Sequence, residues 1–333
     1  MTFGQRKSHL PARYLITGFL ALLASLAMNL AAKKDHNASA SFRLPVWIQT
    51  NGNPLRRELS ANEFQINQGK LLIEPTSLQG PKSPTMLFVA MDAVGDVANI
   101  TEARAAIIHE IHELGSQYWV GLISANDQIK VIQEPTPSRD LFSQKIEELT
   151  QIGKAGLLDT LLPVADLASS VLLKSDVRVA VIFITDSDIG NYKTDYLNAP
   201  VNASDSRDLS RRFAGRALQE KITRMSKAIS KFQVPILIVH IAPGQDPLNR
   251  AYQNGLKQLA EIGGGKCLLT KSIGDIALTI HEAFEWAESF YLLGFRLTTT
   301  KGHFADIDIT LAPKDAKKMG NYRLVHPNRI YMP

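Results

Sequence analysis

Three nearly unbroken apolar stretches of strand length constrain this chain most: Met86 to Met91, Val177 to Ile184 and Pro235 to Ile241. A strand that is apolar on both faces must be covered on both faces, which is the condition of a parallel sheet buried between helices. Segments with helical spacing separate these strands. Ile100 to Leu114 places Ala103, Ile107 and Ile111 on one face, and Leu141–Leu149, Leu157–Leu173, Leu209–Phe232, Leu248–Ile262 and Ile273–Ser289 read the same way. Tyr118–Ile123, Ile129–Ile132 and Lys266–Leu269 read as further strands. Strands alternating with helices over residues 85–289 predict an α/β fold with a doubly wound, mostly parallel sheet and right-handed crossovers. Ligands of such sheets bind beyond the carboxyl ends of the strands, where strand order reverses. Asp92 and Asp96 stand at one such end, Asp186 and Asp188 at another.

The flanks differ. Residues 43–80 and 290–333 read as small β extensions, with strands at Arg43–Gln49, Glu63–Asn67, Leu71–Ile73, Tyr291–Leu297 and Ile307–Leu311. Neither can hold a core alone, so the two are expected to pack together or against one edge of the sheet. Residues 187–207 are polar without periodicity, and Lys314 to Lys318 reads as a surface turn. At the start, Arg6, Lys7 and Arg13 precede an apolar run from Leu15 to Ala32, with Ser25-Leu26-Ala27 as a small-x-small cleavage pattern. Residues 1–32 therefore read as a secretory signal or, left uncleaved, as a membrane anchor of roughly 18 residues. Residues 33–42, containing Asn37-Ala38-Ser39-Ala40-Ser41, read as a linker.

The formal net charge of +5 comes from that leader. Its first 34 residues hold five of the 37 Lys and Arg and no acid, which leaves the rest of the 333-residue chain balanced at 32 against 32. A basic nucleic-acid-binding body is unsupported. Cys267 is the single cysteine, so neither an intrachain disulfide nor a CxxC metal or redox pair exists. It reads as a small buried hydrophobe. His109-Glu110-Ile111-His112-Glu113 lacks the i, i+4 histidines of a zincin helix and reads as a solvated face. Gly263-Gly264-Gly265 precedes a strand rather than a helix, the reverse of a phosphate loop. His240 reads as a hydrogen-bonded core residue. No Gly-x-Ser-x-Gly elbow is present. An Mg²⁺-dependent hydrolase using Asp92 as nucleophile would want a second Asp two residues on, where Val94 stands.

Five segments in order carry a family resemblance. They are Asn53-Pro54 through Glu63-Phe64-Gln65-Ile66 and Gly69-Lys70; Met86 to Asp92; Gly156-Leu157-Leu158-Asp159; Ile182-Phe183-Ile184-Thr185-Asp186; and Phe290-Tyr291-Leu292-Leu293-Gly294-Phe295. Over about residues 43–331 the chain resembles a von Willebrand factor A-type (vWA) domain of the bacterial exported subfamily. The resemblance implies a metal-ion-dependent adhesion site with Asp92 as its first aspartate and Asp186 as its last. The departures are specific. Val94 and Asp96 stand at the two serine positions, Ala155 at the threonine position, and Thr185-Asp186-Ser187 replaces Thr-Asp-Gly. Hard cations need oxygen ligands, and two of the five are lost. Two arrangements stay open: a rebuilt site in which Asp92, Asp96 and Asp186 hold Mg²⁺ or Ca²⁺, or a degenerate site whose aspartates cap loops. Weak or absent cation binding is the expectation.

The resemblance further implies a non-enzymatic protein-interaction or adhesion module that binds a protein partner at the carboxyl-end face. A structural role in the cell envelope is the alternative. The leader predicts an exported protein, periplasmic, in the cell envelope or secreted, and anchored by the N-terminal segment if that is left uncleaved.

Overall fold

A computed structural model describes residues 37–150, 152–192, 206–242, 247–300 and 302–332. The chain enters through β1 (Asn37–Thr50), β2 (Asn53–Pro54), β3 (Phe64–Gln68), β4 (Leu71–Ile73) and β5 (Pro75–Gln79). The α/β part follows as β6 (Thr85–Asp92), α1 (Val97–Glu113), β7 (Tyr118–Ser124), β8 (Lys130–Thr136), α2 (Arg139–Glu148), α3 (Leu157–Lys174) and β9 (Arg178–Thr185). It continues with α4 (Ser206–Ile229), β10 (Ile236–His240), α5 (Pro247–Ile262), β11 (Lys266–Leu269) and α6 (Ile276–Ser289). The chain closes with β12 (Tyr291–Thr300), β13 (Phe304–Asp306), β14 (Asp308–Leu311), α7 (Pro313–Met319), β15 (Arg323–Val325) and β16 (Arg329–Tyr331).

The six-stranded central sheet has the order β11-β10-β9-β6-β7-β8. Its pairings are parallel except at β8, which runs antiparallel to β7. Every residue of β9 and β10 is buried, as strands covered on both sides require. α1 packs against α2 and α6, while α3 packs against α4 and α4 against α5, which gives the two covering layers. α1 turns Ile100, Ala103, Ile107 and Ile111 inward. The chain passes from β6 outward to β7 and β8, then returns to place β9 on the other side of β6. Strand order therefore reverses between β6 and β9.

The flanking segments pack on each other. β1 pairs with β12 from Asn37↔Thr300 to Val46↔Tyr291, then with β15 from Trp47↔Val325 to Gln49↔Arg323. β3 pairs with β14, and β5 with β12. Phe42, Leu44, Phe64, Ile66, Leu293, Phe295 and Ile309 belong to a second apolar core made by these strands. This corrects the reading of residues 37–42 as linker, since they are the first part of β1. Their backbone is ordered by β12, not by any pattern of their own. Lys314 to Lys318 lies in the short helix α7 instead of a turn. Pro313 at its start suits a first helical turn, where the missing N–H costs nothing.

Residues 1–32, read as a leader, lie outside the described residues. Among the described residues no helix is long and apolar enough to cross a membrane.

Candidate functional site: the carboxyl ends of β6 and β9

β6 and β9 run side by side, and Asp92 is in register with Thr185 at their carboxyl ends. The Asp92 side chain is fully buried. Its Oδ1 accepts a 2.9 Å hydrogen bond from the Gly156 N–H, and its Oδ2 accepts one of 2.9 Å from the Thr185 hydroxyl. Thr185 Oγ1 in turn lies 2.7 Å from Ser187 Oγ and accepts the Ser187 N–H at 3.0 Å. Ser187 Oγ lies 2.7 Å from the Tyr252 hydroxyl on α5. A buried polar chain thus runs from Asp92 through Thr185 and Ser187 to Tyr252. His240 joins from β10, its Nε2 lying 2.8 Å from the Ser187 carbonyl.

Asp186 turns the other way. Its carboxylate accepts the Val94 N–H at 3.0 and 3.2 Å and the Gly95 N–H at 2.5 Å, and its own N–H donates to the Asp92 carbonyl at 3.2 Å. A Cβ at position 95 would come within 2.8 Å of Asp186 Oδ2, so a larger residue there would push this carboxylate aside. Asp96 caps α1, its Oδ1 accepting the Ala98 N–H at 2.8 Å. An aspartate with extended backbone just before a helix is an ordinary N-cap. Asp188 closes a local turn with Asn191.

Burial pushes the Asp92 carboxyl well above the usual carboxylate range, against the two hydrogen bonds that favour its charge, and neighbouring Asp186 adds to the rise. Burial also raises Asp186, opposed by the Gly95 and Val94 N–H groups. Burial lowers the imidazole of His240.

The strand order, the single antiparallel edge strand β8 and the two aspartates at the switch point decide the architecture. The fold is von Willebrand factor A-like. No family model and no curated relative matches the sequence. Solved structures similar to it include the PilB minor pilin from Streptococcus sanguinis (14% identity, TM-score 0.44, covering 61% of this chain and 61% of that one). Others are the proximal thread matrix protein 1 from the mussel byssus with zinc-occupied MIDAS motif (13%, 0.40, 63% and 46%) and the vWF domain of the type V pili tip protein Mfa5 from Porphyromonas gingivalis (12%, 0.38, 60% and 93%). The chain spans about three fifths of the pilin and under half of the byssus protein. Such distant likenesses carry none of the site's chemistry across.

Within this vWA-like frame, the sequence-predicted residues separate. Asp92 and Asp186 come together, while Asp96 is spent on the helix cap. Among the described residues no three His, Cys, Asp or Glu side chains group in a way that could hold a metal ion. Ala155 is buried and Val94 half-buried, and neither has a side-chain oxygen. The oxygens of Asp92 and Asp186 already accept internal N–H and O–H groups. This donor set does not fit Mg²⁺ or Ca²⁺, which need several free oxygens at once. Sequence reading missed the role of Ser187. At the position where the family carries glycine, its buried hydroxyl continues the chain from Thr185 to Tyr252.

The loops around this centre are pinned. In the turn between β7 and β8, Asp127 adopts φ 54° and accepts the Lys154 N–H at 3.1 Å, while its own N–H donates to the Lys154 carbonyl at 3.2 Å. Together with the Gly156–Asp92 bond this fixes the 152–156 loop beside the 93–96 loop's own anchor on Asp186. Outward side chains here are Val97, the first residue of α1 and 75% exposed, and Ile152 in the 152–156 loop, 80% exposed.

Proposed function

We propose that this chain is an exported protein-binding module whose vWA-like carboxyl-end face engages its partner without a metal ion and without catalysis. One observation carries the reading. Where the family's metal site would present free oxygens, both carboxylates are turned inward and hydrogen-bonded, and the rim presents Val97 and Ile152 to solvent. Exposed apolar side chains on a helix start and a pinned loop suit a protein contact, because little ordering entropy remains to be lost on binding. The degenerate site also argues against the hydrolase alternative. Asp92 is fully buried with both oxygens engaged, so it cannot reach a substrate as nucleophile. The basic leader and apolar run of residues 1–32 support export.

Photo-crosslinking in cells tests the reading. A benzoylphenylalanine at position 97 or 152 is expected to give a discrete adduct that persists in EDTA. The same probe at Leu173, 72% exposed near the far end of α3, is expected to give none. Adducts at 173 with none at 97 or 152, or adducts that vanish on chelation, would overturn it.

A further inference from the structure

The two edges of the central sheet are built differently. β8 contains Pro135, which has no N–H, and its register against β7 shifts twice, so it offers no regular row of backbone groups. β11 has neither proline nor bulge and pairs with β10 in unbroken parallel register from Leu237↔Lys266 to His240↔Leu269. The Thr270 N–H donates to the His240 carbonyl at 3.0 Å. By the alternation of a parallel ladder, Cys267 and Leu269 then turn their backbone N–H and C=O away from β10. They open onto a groove of about 650 Å³ between α5 and α6. Its walls carry Arg250 and Lys257 from α5, Lys266 and Lys271 from the β11 segment, and Glu282 from α6. Glu282 is held by Lys266 at 2.7 Å. Arg250, Lys257 and Lys271 have no ion-pair partner among the described residues.

We infer that this groove takes an extended acidic segment of a partner protein, which adds to β11 as a further strand and sets its carboxylates beside Arg250, Lys257 and Lys271. Strand addition draws affinity from main-chain hydrogen bonds and selectivity from alternate side chains. Here the edge supplies the first and the three cations the second. Lysines on an edge strand oppose pairing with an identical edge. A second copy of this chain would bring the same three cations against each other, so self-pairing is disfavoured while an acidic strand is admitted. The groove is separate from the Val97–Ile152 rim: β10 lies between β11 and β9.

Fluorescence anisotropy on the purified full chain tests this, with a labelled octapeptide of alternating Asp and Val as probe. The acidic peptide is expected to bind saturably and more weakly as salt rises, and a Lys–Val counterpart is expected not to bind. Lys257→Glu with Lys271→Glu should weaken binding by about tenfold or more without lowering the melting temperature. Methylating every second backbone nitrogen of the peptide should abolish binding in one of the two possible registers. Hydrogen exchange at the Cys267 and Leu269 amides should slow on binding. No saturable binding up to about 1 mM, equal binding of both N-methylated peptides, or a dimer that Lys271→Glu dissociates would each overturn the proposal.

Discussion

The indole Nε1 of Trp47 donates a 2.8 Å hydrogen bond to the backbone carbonyl of Trp286, and the two rings lie 5.6 Å apart. Trp47 belongs to β1 of the flanking layer and Trp286 to α6 of the α/β layer, so this pair joins the two parts. Trp47 is fully buried and also lies 5.7 Å from the Phe290 ring. Trp47→Phe is expected to cost about 1–3 kcal/mol by removing the indole donor from a buried carbonyl, which then accepts from the Ser289 hydroxyl at 3.3 Å. Trp47→Ala should cost about 3–5 kcal/mol by adding a cavity. Urea unfolding followed by circular dichroism measures both, and an unchanged stability of Trp47→Phe would show that the hydrogen bond contributes nothing.

Arg178 holds the opposite end of β9. Fully buried, it donates to the Phe290 carbonyl at 2.6 Å, the Pro81 carbonyl at 3.0 Å and Thr85 Oγ1 at 2.9 Å, with its guanidinium 4.5 Å from the Phe290 ring centroid. Arg178→Met leaves these acceptors unpaired and should destabilise the fold by about 3–5 kcal/mol. Arg178→Lys is expected to recover little of this, because an ammonium cannot span three acceptors in a plane. Thermal melting of both variants is the check.

The buried carboxyl of Asp92 makes a pH-dependent contribution. Its folded-state pKa is raised, so the native state holds the proton more tightly than the unfolded chain. Stability from this group is full below the ordinary carboxylate range and falls as pH rises through the folded value. His240 acts in the opposite sense. Its lowered pKa keeps it neutral in the fold, and stability falls as pH drops below the usual imidazole value. Asn at position 92 can still accept from Gly156, while its amide donates to Thr185, whose hydroxyl turns to Ser187. Asp92→Asn should therefore gain about 1–2 kcal/mol at pH 8. The gain should shrink toward about pH 4. Denaturant titrations at both pH values decide it, and a variant weaker than the parent at pH 8 would contradict it.

Chelation should be silent. The full chain is expected to melt within about 1 °C of the same temperature in EDTA and in a few millimolar Mg²⁺ or Ca²⁺, since a ligand stabilises only in proportion to its occupancy of the native state. A larger upward shift, lost in Asp186→Ala, would show that the carboxylate turns back to meet a cation.

Much of the central sheet was legible because its signal is local. Met86–Met91 and Ile236–Val239 are apolar on both faces and admit few other readings. Asn37 to Ser41 misled because small and polar residues specify no strand, and β12, far along the chain, supplies the order. At the switch point, sequence spacing located Asp92 and Asp186 but not their orientation. Asp186 turns to the Val94 and Gly95 amides, and no pattern encodes that choice. The capping role of Asp96 was missed because apolar spacing marks the helix only from Ile100, while α1 begins at Val97. Ser187 was noted only as a missing glycine, because its contact with Tyr252 exists only after β9 and α5 meet.

The pairing of β1 with β12 also sets an order in time. β1 is synthesised before the α/β layer and its partner only after that layer is complete, since residue 37 meets residue 300. Contacts so distant in sequence form slowly. On the ribosome or in transit, the first strand therefore waits with an open edge until the sheet behind it has closed. The flanking layer is the last part of the molecule to assemble, and a chain interrupted before Tyr291 leaves β1 unpaired and open to association with other chains.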